Sequence, residues 1–292
     1  MSKFLLSTDI GSDPDDALAL LALFNSNANL RAIYTINGDS KGRACIAKNM
    51  VRLAKKDIPI AAIAEKDETG RPFYFYEDYY VPGKCIDDDV CEKKVVYKPL
   101  RSLGIHEDAV EHAKTTLTEP HTIISIGPLT LISKLLENKS ACSNIENVVV
   151  MGCNFDDGNL DHNCHHDPYA ATQVFASNLP ITVVPANICR KYRPQTACLD
   201  NLSTPAGNYA KRMAKGFLIA KLAQEVHHPV INGESIESLL TVHLKFKKLD
   251  CEMLIDSDFG AAEPDNYLEH YRQLINSAKN HPFKRGFGRI IA

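Results

Sequence analysis

The sequence predicts an α/β fold: a mostly parallel central sheet flanked by helices, followed by a mainly helical C-terminal part. Three observations lead there. Short β-like runs alternate with helical patterns, which implies βαβ units. Polar clusters follow directly after several of those runs. Apolar residues make up 45% and charged residues 24% of the 292, an ordinary globular composition on a chain long enough to bury a substantial core.

The elements follow in order. Phe4 to Ser7 reads as a compact apolar strand. Asp15 to Phe24 reads as a helix with acids in its first turn, where the helix dipole favours them. Leu30 to Ile36 reads as the second strand, Ala44 to Ala54 as the second helix and Ile58 to Ile63 as the third strand. The rhythm then resumes with a strand at Thr122 to Ile126 and a helix at Leu129 to Leu136. A strand at Val148 to Met151 precedes a helix at Pro168 to Ala176, and Ile181 to Val184 is a further strand. Residues 65–101 mix charges with aromatics and read as a long excursion over the sheet edge. Residues 205–280 read as mainly helical, within one domain spanning 1–292.

Several classes fall away. A net charge of −3 gives no electrostatic reason to expect nucleic acid or an anionic membrane as partner. The longest clean apolar run, Ala17 to Phe24, is far short of a membrane span. The opening apolar run is too short for a secretory signal core. The nine scattered cysteines contain no close CxxC pair, so they read as reduced thiols of a cytoplasmic protein.

Ligands of open α/β sheets bind beyond the carboxyl ends of the strands. The polar segments after strands are therefore the candidate site. The sharpest is TDIGSDPDDALAL, Thr8 to Leu20, with Asp9, Asp13, Asp15 and Asp16 crowded at a strand end. Clustered carboxylates repel and raise one another's pKa values. A hard cation, which takes oxygen ligands, removes that cost. Gly11 permits the tight turn that lets the acids converge. Asp13 or Asp15 can also serve as a helix cap, but capping uses one aspartate and the turn has four.

Here the chain resembles the nucleoside hydrolase family, whose first strand runs into DxDxGxDDAxAL or the longer DxGxDxDDAxAL; this sequence matches the longer form, with Ser7 where many members have another aspartate. The resemblance implies Ca²⁺ as cofactor and a nucleoside as substrate. It assigns Ca²⁺ binding and the general-base role to Asp9, chelation to Asp16 and the ribose hydroxyls to Asp15, with Asp13 sharing either duty.

Further stretches carry the likeness through about Pro185. IISIGPLTLI, Ile123 to Ile132, resembles the family's strand and GPLTNIA, which implies the Ile126 backbone carbonyl as a Ca²⁺ ligand; read alone, it is a strand, a turn and a helix with Pro128 at its start. VVVMGCNFDDGNLDHNCHHDPYAA resembles VVxMGG…EFNxxxDPEAA. It places Met151, Asp161 and Asn163 at the ribose, with Asp161 one methylene shorter than the usual glutamate. Asp167 reads as the cap of the next helix. His162, His165 and His166 read as exposed loop histidines rather than a zinc site. NGDS, Asn37 to Ser40, stands at the family's GN turn and puts Asp39 at the substrate contact. IESLLTV, Ile236 to Val242, is the counterpart of HDxLA, so Glu237 becomes the last Ca²⁺ ligand. The family's HGxxGLG segment has no counterpart within residues 65–101.

The activity implied is hydrolysis of the N-glycosidic bond of a ribonucleoside to free base and ribose, through an oxocarbenium-like transition state. His227, His228 and His243 are available to protonate the leaving base, and nothing assigns one. The resemblance also implies a homo-oligomer, a dimer or tetramer. An altered relative that binds a ribosyl ligand or Ca²⁺ without turnover is the second reading, motivated by Asp39, Ile236 and the missing HGxxGLG. A haloacid-dehalogenase-like phosphatase needs DxDx[TV], and Gly11 occupies the second aspartate's place.

Overall fold

In a computed structural model, which describes residues 2–11, 14–63, 100–154, 161–189, 202–211 and 213–214, the apolar runs become seven strands of one sheet. They are β1 (Lys3–Thr8), β2 (Asn29–Thr35), β3 (Ile60–Ala62), β4 (Ile105–His106), β5 (His121–Ser125), β6 (Ile145–Met151) and β7 (Ile181–Val184). Their order is β4-β3-β2-β1-β5-β6-β7, and every neighbouring pair is parallel. The chain builds outward from β1 on one side through β2 to β4, then returns to β1's other edge with β5. That reversal makes the carboxyl ends of β1 and β5 a topological switch point.

Side chains alternate across the sheet because a strand repeats every two residues. Leu5 enters one core with Tyr34, Ile123 and Val148, whereas Leu6 enters the other with Ile33, Ile60 and Ala62. Both faces are covered, as an all-parallel sheet requires. On the Leu6 side lie α1 (Asp15–Asn25), α2 (Ser40–Leu53) and the helical residues 205–211 and 213–214. On the Leu5 side lie α3 (Ala109–Thr116), α4 (Thr130–Leu135) and α7 (Pro168–Ala176). Three short helices, α5 (Lys139–Ser143), α6 (His162–His166) and α8 (Ala186–Cys189), and a 3-10 turn at Leu100–Leu103 complete the described elements. Among the described residues, no helix is long and apolar enough to cross a membrane.

Two differences from the sequence reading have local causes. Helix α2 starts at Ser40 rather than Ala44, because Asp39 caps it by accepting the Gly42 N–H at 2.9 Å. Strand β4 and helix α3 carry little periodic apolar signal: β4 has two residues, and α3 buries only two alanines. The expected excursion and C-terminal helical part fall largely outside the described residues.

Candidate active site

The carboxyl ends of β1, β2, β5 and β6 meet at the switch point. Asp9 follows β1 directly and is half-buried. Its Oδ2 accepts the Asn37 side-chain N–H at 3.3 Å, from the turn after β2. Its Oδ1 lies against Gly127, in the turn after β5. A β-carbon at Gly127 would stand 2.8 Å from that oxygen and 3.0 Å from the Asp9 backbone nitrogen. A glycine is therefore required for this approach. Gly11, at φ 117°, makes the tight turn its position implies.

Asp16 lies in the first turn of α1 and is only 6% exposed. Thr8 donates its hydroxyl to Asp16 Oδ1 in a short hydrogen bond, and the same hydroxyl accepts the Ile10 N–H at 3.1 Å. Burial pushes the Asp16 carboxyl well above the usual carboxylate range, and the charges of Asp9 and then Asp15 push it the same way; the Thr8 bond and the Arg43 charge oppose them. Asp15 is its exposed neighbour. It stands within the first turn, and the N-cap position belongs to Pro14.

Asn163, on α6, donates from one amide nitrogen to the Ile126 carbonyl and to the Met151 carbonyl, each at 3.0 Å. It also lies 3.4 Å from the Met151 sulfur. Asn163, Ile126 and Met151, expected at one site, are thus brought together at the ends of β5 and β6.

Asp161 and Asp39, expected at the substrate, both serve as helix caps. Both Asp161 oxygens accept backbone amides, from Cys153 at 2.6 Å and Cys164 at 3.1 Å. The shorter acid is thereby both cap of α6 and anchor of the turn after β6. Asp39 is the cap of α2. The three histidines sit in helix α6 rather than in an exposed loop, and His166 is 6% exposed. Asp167 caps α7 as expected, and its other oxygen accepts the Thr130 hydroxyl at 2.6 Å. Asp13 and Glu237 lie outside the described residues, as do Ile236, His227, His228 and His243.

The sequence reading missed three residues: Thr8, Asn37 and Arg43. Asn37 carried a signal, since the Asn-Gly step at a strand end fits its φ of 66° and the 53° of Gly38. Arg43 carried none, because the helix read from the sequence starts after it, at Ala44.

The donor set suits a hard cation. Asp9, Asp16 and the Ile126 carbonyl offer oxygen only, the donors such ions take. The buried Asn37 Oδ1 beside them has no hydrogen-bond donor among the described residues. A second group, Cys153, Asp161 and Cys164, is fully buried with donor atoms within 4.8 Å of one another. There the two sulfurs lie 3.8 Å apart, and contact with Cys153 and burial push the Cys164 thiol well up, so it stays protonated.

An all-parallel sheet with Asp9 and Asp16 beyond the carboxyl end of β1, at its switch point, defines an α/β protein of the open-sheet class. The chain belongs to the inosine-uridine preferring nucleoside hydrolase family, whose model matches residues 4–247. It is 30% identical over 186 residues to the pyrimidine-specific ribonucleoside hydrolase RihA of Photobacterium profundum, covering 60% of this chain and 58% of that one. It is 28% identical over 199 residues to the non-specific ribonucleoside hydrolase RihC of Klebsiella pneumoniae, covering 61% and 59%. The chain therefore spans about three-fifths of the length of these curated relatives. In fold it is similar to a plant nucleoside hydrolase, PpNRh1, with a TM-score of 0.62 at 20% identity over 74% of this chain and 70% of that one. It is also similar to the type III effector XopQ complexed with adenosine diphosphate ribose, with a TM-score of 0.58 at 18% identity over 82% and 72%.

Proposed function

We propose that this chain hydrolyses the N-glycosidic bond of a ribonucleoside, releasing free base and ribose, with Ca²⁺ as its cofactor. The observation that carries this is the Asp9 carboxylate set against Asn37 and Gly127 at the switch point, where the neighbouring Ile126 carbonyl is held by Asn163. Membership of the family supports the reaction class.

Asp9, Asp16 and the Ile126 carbonyl would hold the ion, with Asp13 and Glu237 completing the set. When bound, Ca²⁺ supplies Lewis acidity and fixed oxygen coordination. Asp9 takes the proton from the attacking water, and Asn37 holds its Oδ2 while that proton arrives. Negative charge beneath the sugar favours the positive charge that develops on the ribosyl ring. Asp15, exposed at the rim, bonds the ribose hydroxyls, and Asn163 and Met151 form the wall beside them. Asp161 acts behind that wall by fixing the turn after β6. The protein is proposed to be a cytoplasmic homo-oligomer, dimer or tetramer, built from one domain over residues 1–292.

The test is ribose release from inosine and from uridine. The wild-type protein is expected to release ribose from at least one, and Asp9→Ala to lose at least 10³-fold in kcat, on the scale of an essential proton acceptor. Unchanged release by Asp9→Ala would contradict the proposal.

A further inference from the structure

Arg43 is buried to 3% exposure in the first turn of α2. A cation there opposes the helix dipole, so helix stability does not explain it. Its hydrogen bonds do. Nε donates to the Asn37 carbonyl at 2.9 Å. Nη1 donates to the Asp9 carbonyl in a short bond and to the Ile10 carbonyl at 3.2 Å. All three acceptors belong to the turns that follow β1 and β2. The side chains of those same turns, Asp9 and Asn37, are the pair that meets in the site.

We infer that Arg43 is a positioning residue. Its guanidinium staples the turn after β1 to the turn after β2 through backbone carbonyls, and so sets the Asp9 carboxylate against the Asn37 amide. The fork is planar with donors in fixed directions, so it fixes separation and orientation together. A lysine ammonium is a single point with a flexible stem and cannot hold both turns at a set spacing. The inference rests on Asp9 being the proton acceptor proposed above, and it needs no contact between Arg43 and the substrate.

The experiment compares wild type, Arg43→Lys and Arg43→Ala at saturating Ca²⁺. Arg43→Lys is expected to melt cooperatively and to lose about 100-fold in kcat, the scale of a small misplacement of a reacting group. KM is expected to stay close to the wild-type value. Millimolar guanidinium is expected to restore part of kcat to Arg43→Ala, and methylammonium is not. Should Arg43→Ala fail to fold, the kcat and KM of Arg43→Lys decide. Wild-type kcat in Arg43→Lys would overturn the inference. So would a loss seen only in KM. Absence of turnover in the wild-type protein would instead sink the hydrolase reading. Hydrogen exchange then tests the staple by itself: amides of residues 9–11 and 37–38 are expected to exchange faster together in Arg43→Lys. Unchanged exchange in either turn would overturn it.

Discussion

At the scale of the residue, the proposed chemistry turns on how closely Asp9 is approached. Gly127 admits its carboxylate because no side chain stands there; a β-carbon would meet both the oxygen and the backbone of Asp9. Gly127→Ala would have to displace both the Asp9 carboxylate and its backbone nitrogen. We expect it to cost about 1–3 kcal/mol of stability, as overpacking does. Ribose release should fall about 100-fold, since the acid itself must shift. A denaturant titration beside a kinetic assay reads both, and wild-type kcat in Gly127→Ala would show that Asp9 does not depend on this approach. Asp9, Asp16 and Asn163, which the structure brings to the carboxyl ends of β1, β5 and β6, were noticeable in the sequence because each lies in a short local motif. The turn at Asn37 was signalled by its Asn-Gly step, but the bonds of Asn37 and Arg43 to Asp9 were not, because they span 28 and 34 residues. A contact made only by folding leaves no spacing to read.

At the scale of the element, strands and helices with a long apolar period were readable, and their ends less so. The helix Pro168–Ala176 and the strand Ile181–Val184 match the expectation residue for residue. Helix α2 does not, because its first turn is polar and its start is set by the Asp39 cap. Asp167 shows what such a cap does here, since it bonds the Ala170 N–H and the Thr130 hydroxyl and so ties α7 to α4. Asp167→Ala is expected to lower stability by about 2 kcal/mol, the cap and a second buried bond lost together. A urea midpoint measures it, and an unchanged midpoint would contradict the cap's role. Helix α3 gives a pH dependence. His112 receives a 3.2 Å contact from the Tyr34 hydroxyl, and burial, then the charge of His106, lower its pKa below 6.5. The unfolded chain binds the proton first, so this stability is present above 6.5 and is lost as pH falls through the lower folded value. His112→Gln should flatten the decline of the urea midpoint between pH 7 and pH 5; an equally steep decline would rule His112 out as its source.

At the scale of the whole molecule, the strand order places the site. Building outward from β1 in both directions leaves a crevice where β1 and β5 part, and the acids of the turn after β1 fall into it. The two-sided core explains why a parallel sheet was foreseeable: Leu5 and Leu6 face opposite layers, so the strands read as unbroken apolar runs. Strand order itself was not foreseeable, because alternating strands and helices permit more than one winding. The acids beyond β1 are proposed to form a Ca²⁺-dependent hydrolytic centre. It is tested most directly by stripping the protein with a chelator and titrating Ca²⁺ back while ribose release is followed. Activity should vanish on stripping and return in full at one Ca²⁺ per chain, and Asp16→Asn should fail to recover at the same concentration. Full activity in the stripped protein, or equal recovery by Asp16→Asn, would contradict it.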